Sequence, residues 1–318
     1  MMTWTVWVRG RFAGGSLRRA ALVLVLVAWT LPASATTIAL LMPPPALARR
    51  LHDGLGEQAQ ARGVAARFAH APEGAGEVQI AQARRFIAEK VDALVVMPVD
   101  PTAREEITRL ALGMDVPLVL IGQGPRTDWF AGRVTHVVPN DLVAGRLQMR
   151  KLAQMLGGAG RVAIIAGSLS DPGSVLRQRG AGEVLSVSPG LRLVAETTAD
   201  GSRASARVVV GGWIARGIGI DAIAAGSDEM ALGAADAIEA AGIPVGRILI
   251  GGADATADGM QAMQDKRLAV TIYQDAGTQS RRAIDDALGL IRREPVPQYD
   301  WVPSELVTDR MSTTHFSR

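Results

Sequence analysis

The chain has 318 residues, 48% of them apolar and 4% aromatic, with 34 lysines and arginines, 31 acidic residues and no cysteine. This length suits about two domains and this apolar share suits packed cores, which excludes a disordered chain; the missing cysteine excludes disulfides and thiolate metal sites. Arg9, Arg11, Arg18 and Arg19 fall in the first 35 residues without an acid, and beyond them 30 basic residues face 31 acidic ones, leaving no basic stripe for nucleic acid.

The first element in the chain reads as an export signal. Arg18-Arg19 precede the apolar run AALVLVLVAWTL at 20–31, and Pro32 then leads into Ala33-Ser34-Ala35. A basic start, a short apolar stretch and a small-residue end mark a secretory signal peptide. It is placed here at 1–35, with cleavage near Ala35 and the periplasm as destination. The run falls short of the ~20 residues that span a bilayer, although an uncleaved anchor is the other reading. No cysteine follows it to carry a lipid.

From Thr37 onward short β-branched runs alternate with amphipathic stretches. Strands are expected at 38–42, 64–69, 93–97, 118–121 and 134–138, then at 162–166, 191–197, 222–225, 248–251 and 269–273. Leu47, Leu51 and Leu55, then Met230, Ala234 and Ile238, then Ile284, Leu288 and Ile291 recur at helical spacing and set three helix stripes. Runs such as ALVVM and RVAIIAG are apolar throughout, as parallel strands covered on both faces are. The βαβ rhythm therefore predicts an α/β fold of doubly wound parallel sheets. Ten strands divide into two runs of five, hence two lobes, with a junction near Pro139-Asn140. The tail 293–318, with prolines at 295, 297 and 303, reads as irregular with at most a short strand at 306–308. In such sheets ligands bind beyond the carboxyl ends of the strands.

The order of several motifs carries a resemblance. TIALLM at the first strand, DGLGEQAQARG in the first helix and DALVVMPVDP at the third strand are followed by NDLVAG and LRQRGAG; SDEMALGAADAIEAAG, GGADATADGM and LAVTIYQD complete the series. Together they resemble the ribose-binding-protein-like periplasmic sugar-binding family, type I periplasmic binding proteins related to the effector-binding core of lactose-repressor-type regulators. The resemblance implies two lobes joined by three crossings, near Pro139-Asn140, Gln274-Asp275 and 301–304. The N-terminal lobe would then combine 37–139 with 275–302, and the C-terminal lobe 140–274 with 303–318.

It also implies a ligand site. Asp254, after a strand, matches the family's sugar-binding carboxylate, while capping the next helix is its bland role. Arg177 in LRQRGAG matches a ligand-contacting arginine whose planar fork suits two oxygens; Arg179 is a nearby decoy. Gln274 matches a hydrogen-bonding glutamine at the second crossing. Asn140 and Asp141 open the second lobe, with Asp141 expected to cap its helix. Ser227, before Asp228, stands where the family usually has asparagine, and the two equally read as an N-cap pair.

Departures from the family pattern bear on the ligand. Gly122-Gln123 replace an Asp-Arg pair, with Gln123 kept as a contact; the first loop reads PPPALA in place of an asparagine and two phenylalanines, and Gly201 replaces a ring. Trp129-Phe130 are the aromatic substitutes within reach of the cleft, although surface packing suits them better. The ligand expected is a small polar one, sugar-like but not a pyranose held in the ribose manner.

The function implied is capture of that ligand by hinge closure and delivery to the membrane permease of an ABC-type importer; presentation to a sensor kinase or chemoreceptor is the alternative. A monomer without cofactor or metal is expected. Enzyme chemistry finds no support: His52, His70, His136 and His315 show no metal spacing, with His70 and His136 read at strand ends, and no nucleophile elbow or P-loop occurs. A repressor would need a helix-turn-helix where the signal peptide lies.

Overall fold

Strands that are apolar on every residue need helices on both sides, and the computed structural model, which describes residues 35–122 and 131–308, supplies them. The first half runs β1 (Thr37–Met42), α1 (Pro45–Ala61), β2 (Ala65–His70), α2 (Gly76–Ala88), β3 (Ala93–Val96), α3 (Pro101–Gly113), β4 (Leu118–Ile121) and β5 (Val134–Pro139). The second runs α4 (Asp141–Met155), β6 (Gly160–Ala166), α5 (Pro172–Ser186), β7 (Leu191–Thr198), α6 (Arg203–Ala215), β8 (Ala222–Ala225), α7 (Asp228–Ala240), β9 (Leu249–Gly251), α8 (Ala257–Gln264) and β10 (Thr271–Gln274). It closes with α9 (Ala276–Ile291), β11 (Tyr299–Val302) and β12 (Ser304–Val307).

Two parallel sheets result. The first has the order β11-β5-β4-β3-β1-β2 and the second β7-β6-β8-β9. In β1 the alternate residues Ile38, Leu40 and Met42 join a core with α1 and α9, whereas Ala39 and Leu41 face the core under α2 and α3. Fully burying a side chain such as Phe86 or Leu55 contributes about 1.5–3 kcal/mol. In the second sheet Met230, Ala234 and Ile238, the stripe read from the sequence, are all buried in one core on α7.

The chain passes between the sheets three times. After β5 it enters α4, which packs on the second sheet; after β10 it enters α9, which lies on β3, β4 and β5 and against α1. It returns from β11, paired in parallel with β5, to β12, paired antiparallel with β10. The architecture is thus that of two doubly wound lobes joined by a three-segment hinge.

Three expectations need correction. The tail is not irregular: it forms two strands, 299–302 and 304–307, each paired with a partner far back in the chain. Proline at 303 interrupts them and marks the crossing, and local composition carries no trace of such distant pairing. The tenth strand does not complete the second sheet; it touches β9 only through a bridge between Gly251 and Val270 and otherwise pairs with β12. His136 does not end a strand: it lies fully buried within β5, with Nε2 3.3 Å from an Arg104 nitrogen and Nδ1 3.3 Å from the Gln298 carbonyl.

Buried glutamines fix the strand ends from which the loops leave. Gln79 donates to the Met97 carbonyl at 2.9 Å and accepts from Val99 N at 3.1 Å. Gln148, on α4, donates to the carbonyls of Ala225 and Gly252, both at 2.8 Å, so one side chain holds the loops after β8 and β9 together. Gln279 does the same for β5 through the Val137 carbonyl, at 2.9 Å. Buried carbonyls left unpaired cost about 1–3 kcal/mol each, so these side chains are what permits the backbone to leave the sheets there.

Candidate functional site

At the carboxyl ends of the strands on the second lobe, four separate segments bring polar side chains together. Asn140, at the end of β5, is the N-cap of α4, its Oδ1 accepting from Val143 N at 3.2 Å. That leaves Asp141 free of the capping role expected of it. Asp141 is instead buried, with its Oδ1 2.5 Å from Arg177 Nη1 and 3.3 Å from Gln274 Nε2. One carboxylate therefore joins α4, α5 and the end of β10.

Arg177 is brought to this point by close helix packing. A Cβ at Gly180 would overlap the Leu142 carbonyl oxygen and lie 3.0 Å from Arg146 N, and one at Gly145 would lie 2.8 Å from the Arg177 carbonyl carbon. The glycines let α4 and α5 touch backbone to backbone. Gly173 keeps open the space where Asp141 Oδ2 lies, 2.8 Å from where its Cβ would stand. Arg177 Nη2 is 3.7 Å from Asp171 Oδ2, and its Nε is buried without a hydrogen-bond partner among the described residues. Asp171 also caps α5, accepting from Gly173 N at 3.1 Å and Ser174 N at 3.0 Å.

Asp254 completes the group. Its φ of 101° and that of Ala255, 45°, are uncommon for residues with side chains, and such strain costs on the order of 1–3 kcal/mol and persists only where neighbours impose it. Here they do. Asp254 N donates to the Ile272 carbonyl at 2.8 Å and Ala255 N to Thr271 Oγ1 at 3.3 Å. Asp228, fully buried, accepts from Thr271 Oγ1 at 2.6 Å and from Thr256 N at 2.7 Å, tying both sides of the loop to α7. Burial pushes the Asp228 carboxyl up to about 7 against those donors.

Among the described residues no hydrogen bond reaches the Asp254 carboxylate, and the charges of Arg177, Asp141, Asp171 and Asp228 act on it. Burial pushes its carboxyl up, with Arg177 pulling it down and Asp141 and Asp171 adding to the rise. Burial also works against the Arg177 charge, yet Asp141, Asp254 and Asp171 outweigh it and hold the guanidinium above its ordinary value.

The sequence-expected residues are thus distributed unevenly. Arg177, Asp254 and Gln274 meet around Asp141, whose part sequence reasoning missed because two neighbouring residues can each cap a helix. Asn140 and Ser227 each cap, Ser227 Oγ accepting from Met230 N at 3.3 Å, and each retains hydrogen-bonding capacity beyond its cap. Asp228 is not half of a cap pair but the anchor of the Asp254 loop. Arg179 turns away to Glu183 Oε1 at 3.2 Å. Gln123 and Trp129-Phe130 lie outside the described residues.

Two other features compete for attention. An apolar cavity of about 390 Å³, lined by Val210, Ile214, Ile220, Ile223 and Ile248, lies at the opposite, amino end of the second sheet, where Asp221 holds Arg161. The rings of His52, Phe68 and His70 cluster in the first lobe, those of His52 and Phe68 tilted at 35° with centroids 4.3 Å apart. Neither gathers convergent polar groups, and no cluster of three metal-ligating residues occurs among the described residues.

Known proteins share this fold. The family model described as the periplasmic binding protein domain matches residues 45–295. A putative rhizopine-binding protein of Rhizobium meliloti is 36% identical over 72% of this chain and 75% of its own length. A ribose import binding protein of Bacillus subtilis is 28% identical, covering 82% of each chain. Among solved structures, an ABC transporter solute-binding protein from Bacillus halodurans with bound myo-inositol superposes with a TM-score of 0.77 and 29% identity, over 87% of this chain and 96% of that one.

Proposed function

Because the chain belongs to the periplasmic binding protein family, we propose that Asp254, Arg177, Gln274 and Asp141 form the ligand half-site of its second lobe and hold the hydroxyls of a small polyol or compact sugar. The protein is a periplasmic solute-binding protein of the kind that serves ABC-type importers, and a binder rather than an enzyme. The observation that carries the ligand assignment is the meeting of four polar side chains from four chain segments at the carboxyl ends of the strands, with Arg177 Nε and the Asp254 carboxylate without a hydrogen-bond partner among the described residues.

In this reading Arg177 and Gln274 donate to ligand oxygens while Asp254 accepts from ligand hydroxyls. Arg177 is held by Asp141 and Gln274 by its place at the end of β10, so little side-chain freedom is lost on binding. Asn140 and Ser227 border the same space, and Gln123 is assigned to the facing lobe from the sequence alone. The lobes proposed to close on one another are 37–139 with 275–302 and 140–274 with 303–318. Ligand that touches both shifts the equilibrium toward the closed form, which is the form offered to the permease. Relatives that bind ribose and myo-inositol support a search among compact polyhydroxylated molecules. The exported chain is proposed to begin near Thr36, after cleavage at Ala35, as a monomer.

The test is a thermal-shift screen with inositols, pentitols, pentoses and hexoses, followed by calorimetry. A ligand that binds only the folded form raises the melting temperature by mass action. Arg177→Ala and Asp254→Ala are each expected to abolish the shift while circular dichroism shows an intact fold. A full shift in both variants overturns the site.

A further inference from the structure

The apolar cavity of about 390 Å³ at the amino end of the second sheet lies between the end of α6, the turn 217–220 and the loop 243–248. We propose that it is a second binding site, for a small amphiphilic anion: an alkyl carboxylate whose chain fills the hollow and whose head meets Arg161 and Arg247 at the rim. The site is separate from the polar cluster at the carboxyl ends of the strands and does not depend on the role proposed for that cluster.

The walls set the class of the tail. Val210, Ile220, Ile223 and Ile248 are buried, whereas Ile214, Ile218 and Ile243, from three different segments, pack on the same core and stay partly exposed. Single exposed apolar side chains are ordinary, but several converging on one hollow mark a binding surface. Small-molecule pockets measure about 300–1,000 Å³ and are lined mainly by apolar groups. An apolar cavity of about 150 Å³ already stays dry and takes up benzene. Among the described residues no hydroxyl, amide or carboxylate side chain lines the hollow, so a sugar there would leave its hydroxyls unpaired.

The rim sets the charge of the head. Arg161 Nε and Nη2 donate to the Asp221 carboxylate at 2.9 and 3.0 Å, and Arg161 N donates to it at 2.9 Å. A Cβ at Gly219 would overlap the Arg161 guanidinium, so the glycine is what lets that group lie across the turn. Arg247 Nη1 stands 3.7 Å from the same carboxylate, beyond hydrogen-bonding distance. The Arg161 donors, with the charges of Arg161 and Arg247, hold the Asp221 carboxyl well below the ordinary carboxylate range. Two guanidinium groups thus stand over one carboxylate at the mouth of an aliphatic hollow. Their side chains are 45% and 61% exposed, so solvent screens their pull on a ligand head, and the apolar chain supplies most of the affinity.

The experiment is calorimetric titration of the mature protein with hexanoate, octanoate and decanoate below their micelle concentrations, and with 1-octanol as the neutral counterpart. Each added methylene is expected to raise affinity about 4-fold until the hollow is filled. Octanoate is expected to bind up to about 5-fold more tightly than 1-octanol at low salt, a margin that shrinks at high salt and in Arg247→Gln. Ile214→Trp, which fills the hollow, is expected to abolish binding while circular dichroism shows an intact fold. Arg177→Ala is expected to leave octanoate affinity unchanged. No binding of any of the three acids overturns the inference, as does binding that survives Ile214→Trp or is lost in Arg177→Ala. Equal affinity for octanoate and 1-octanol at low salt overturns the anionic head. Binding to phosphatidylglycerol vesicles, or dimerisation in sedimentation runs, without binding of the free acids assigns the hollow to a lipid surface or to a second copy and overturns the inference equally.

Discussion

Two glycines on one helix should respond to alanine with opposite signs. Gly180 and Gly182 both lie in α5, so alanine improves helix propensity at each by about 1 kcal/mol. Around Gly182 nothing lies within 4 Å of an added Cβ, and Gly182→Ala is expected to stabilise by about that amount. At Gly180 the Cβ would overlap the Leu142 carbonyl oxygen, which is backbone and cannot turn aside as a side chain does. Helix α5 must then shift from α4 by roughly an ångström, and overpacking of this kind costs about 1–3 kcal/mol, occasionally more. The net expected loss is about 0–2 kcal/mol for Gly180→Ala once the propensity gain is set against it. The same shift draws Arg177, one turn earlier, away from Asp141, so ligand affinity should fall although Gly180 touches no ligand. Urea unfolding and calorimetry of the two variants provide the assay. Equal stability changes, or a destabilised Gly180→Ala with unaltered affinity, would refute the claim that this helix contact positions the arginine.

Thr271→Val removes a donor to the buried Asp228 carboxylate and the acceptor for Ala255 N, so it should cost about 1–3 kcal/mol and weaken ligand binding by loosening the Asp254 loop; unaltered affinity by calorimetry would separate the two effects. Asp286, half-buried on α9 with Oδ2 unpartnered among the described residues, has its carboxyl pushed up to about 7 by burial and by the charges of Asp300 and Asp285. An unfolded aspartate ionises near 3.9, so the folded state holds the extra proton between those values, and stability from this group is present in acid and lost as pH rises through about 7. Asp286→Asn should therefore stabilise at pH 8 by about 1–2 kcal/mol, after allowing for solvent screening, and make no difference at pH 4; thermal melts across that range decide it.

The sheets were legible because their strands announce burial on both faces: ALVV at 93–96 and LVLI at 118–121 leave no polar side to misplace. The pairing of 299–302 with β5 was not, since YDWV is a mixed edge strand whose partner lies far back in the chain. Arg177, Asp254 and Gln274 could be read through the resemblance, residue by residue. Asp141 could not, because the choice between Asn140 and Asp141 as cap depends on which side chain finds α5 beside it. Two glycines and a helix contact decide that, not the local sequence. The positive φ at Asp254 was equally hidden: glycine would announce such a turn, and the residue there is an aspartate held by Thr271 and Asp228.

The strain at Asp254 and the close approach of α4 and α5 serve the same end. Each fixes one charged side chain from neighbouring elements: Asp254 through β10 and α7, Arg177 through Gly145, Gly180 and Asp141. A side chain held in this way cannot swing round to neutralise its neighbour, which is why the Asp254 carboxylate takes no hydrogen bond from Arg177 although that guanidinium acts on it. The stability given up to keep those charges apart is recovered only when a third party satisfies them. It follows that substitutions which relax the scaffold, letting Asp254 reach Arg177, should raise stability while lowering affinity, the opposite pairing of effects from that expected when the scaffold is merely damaged.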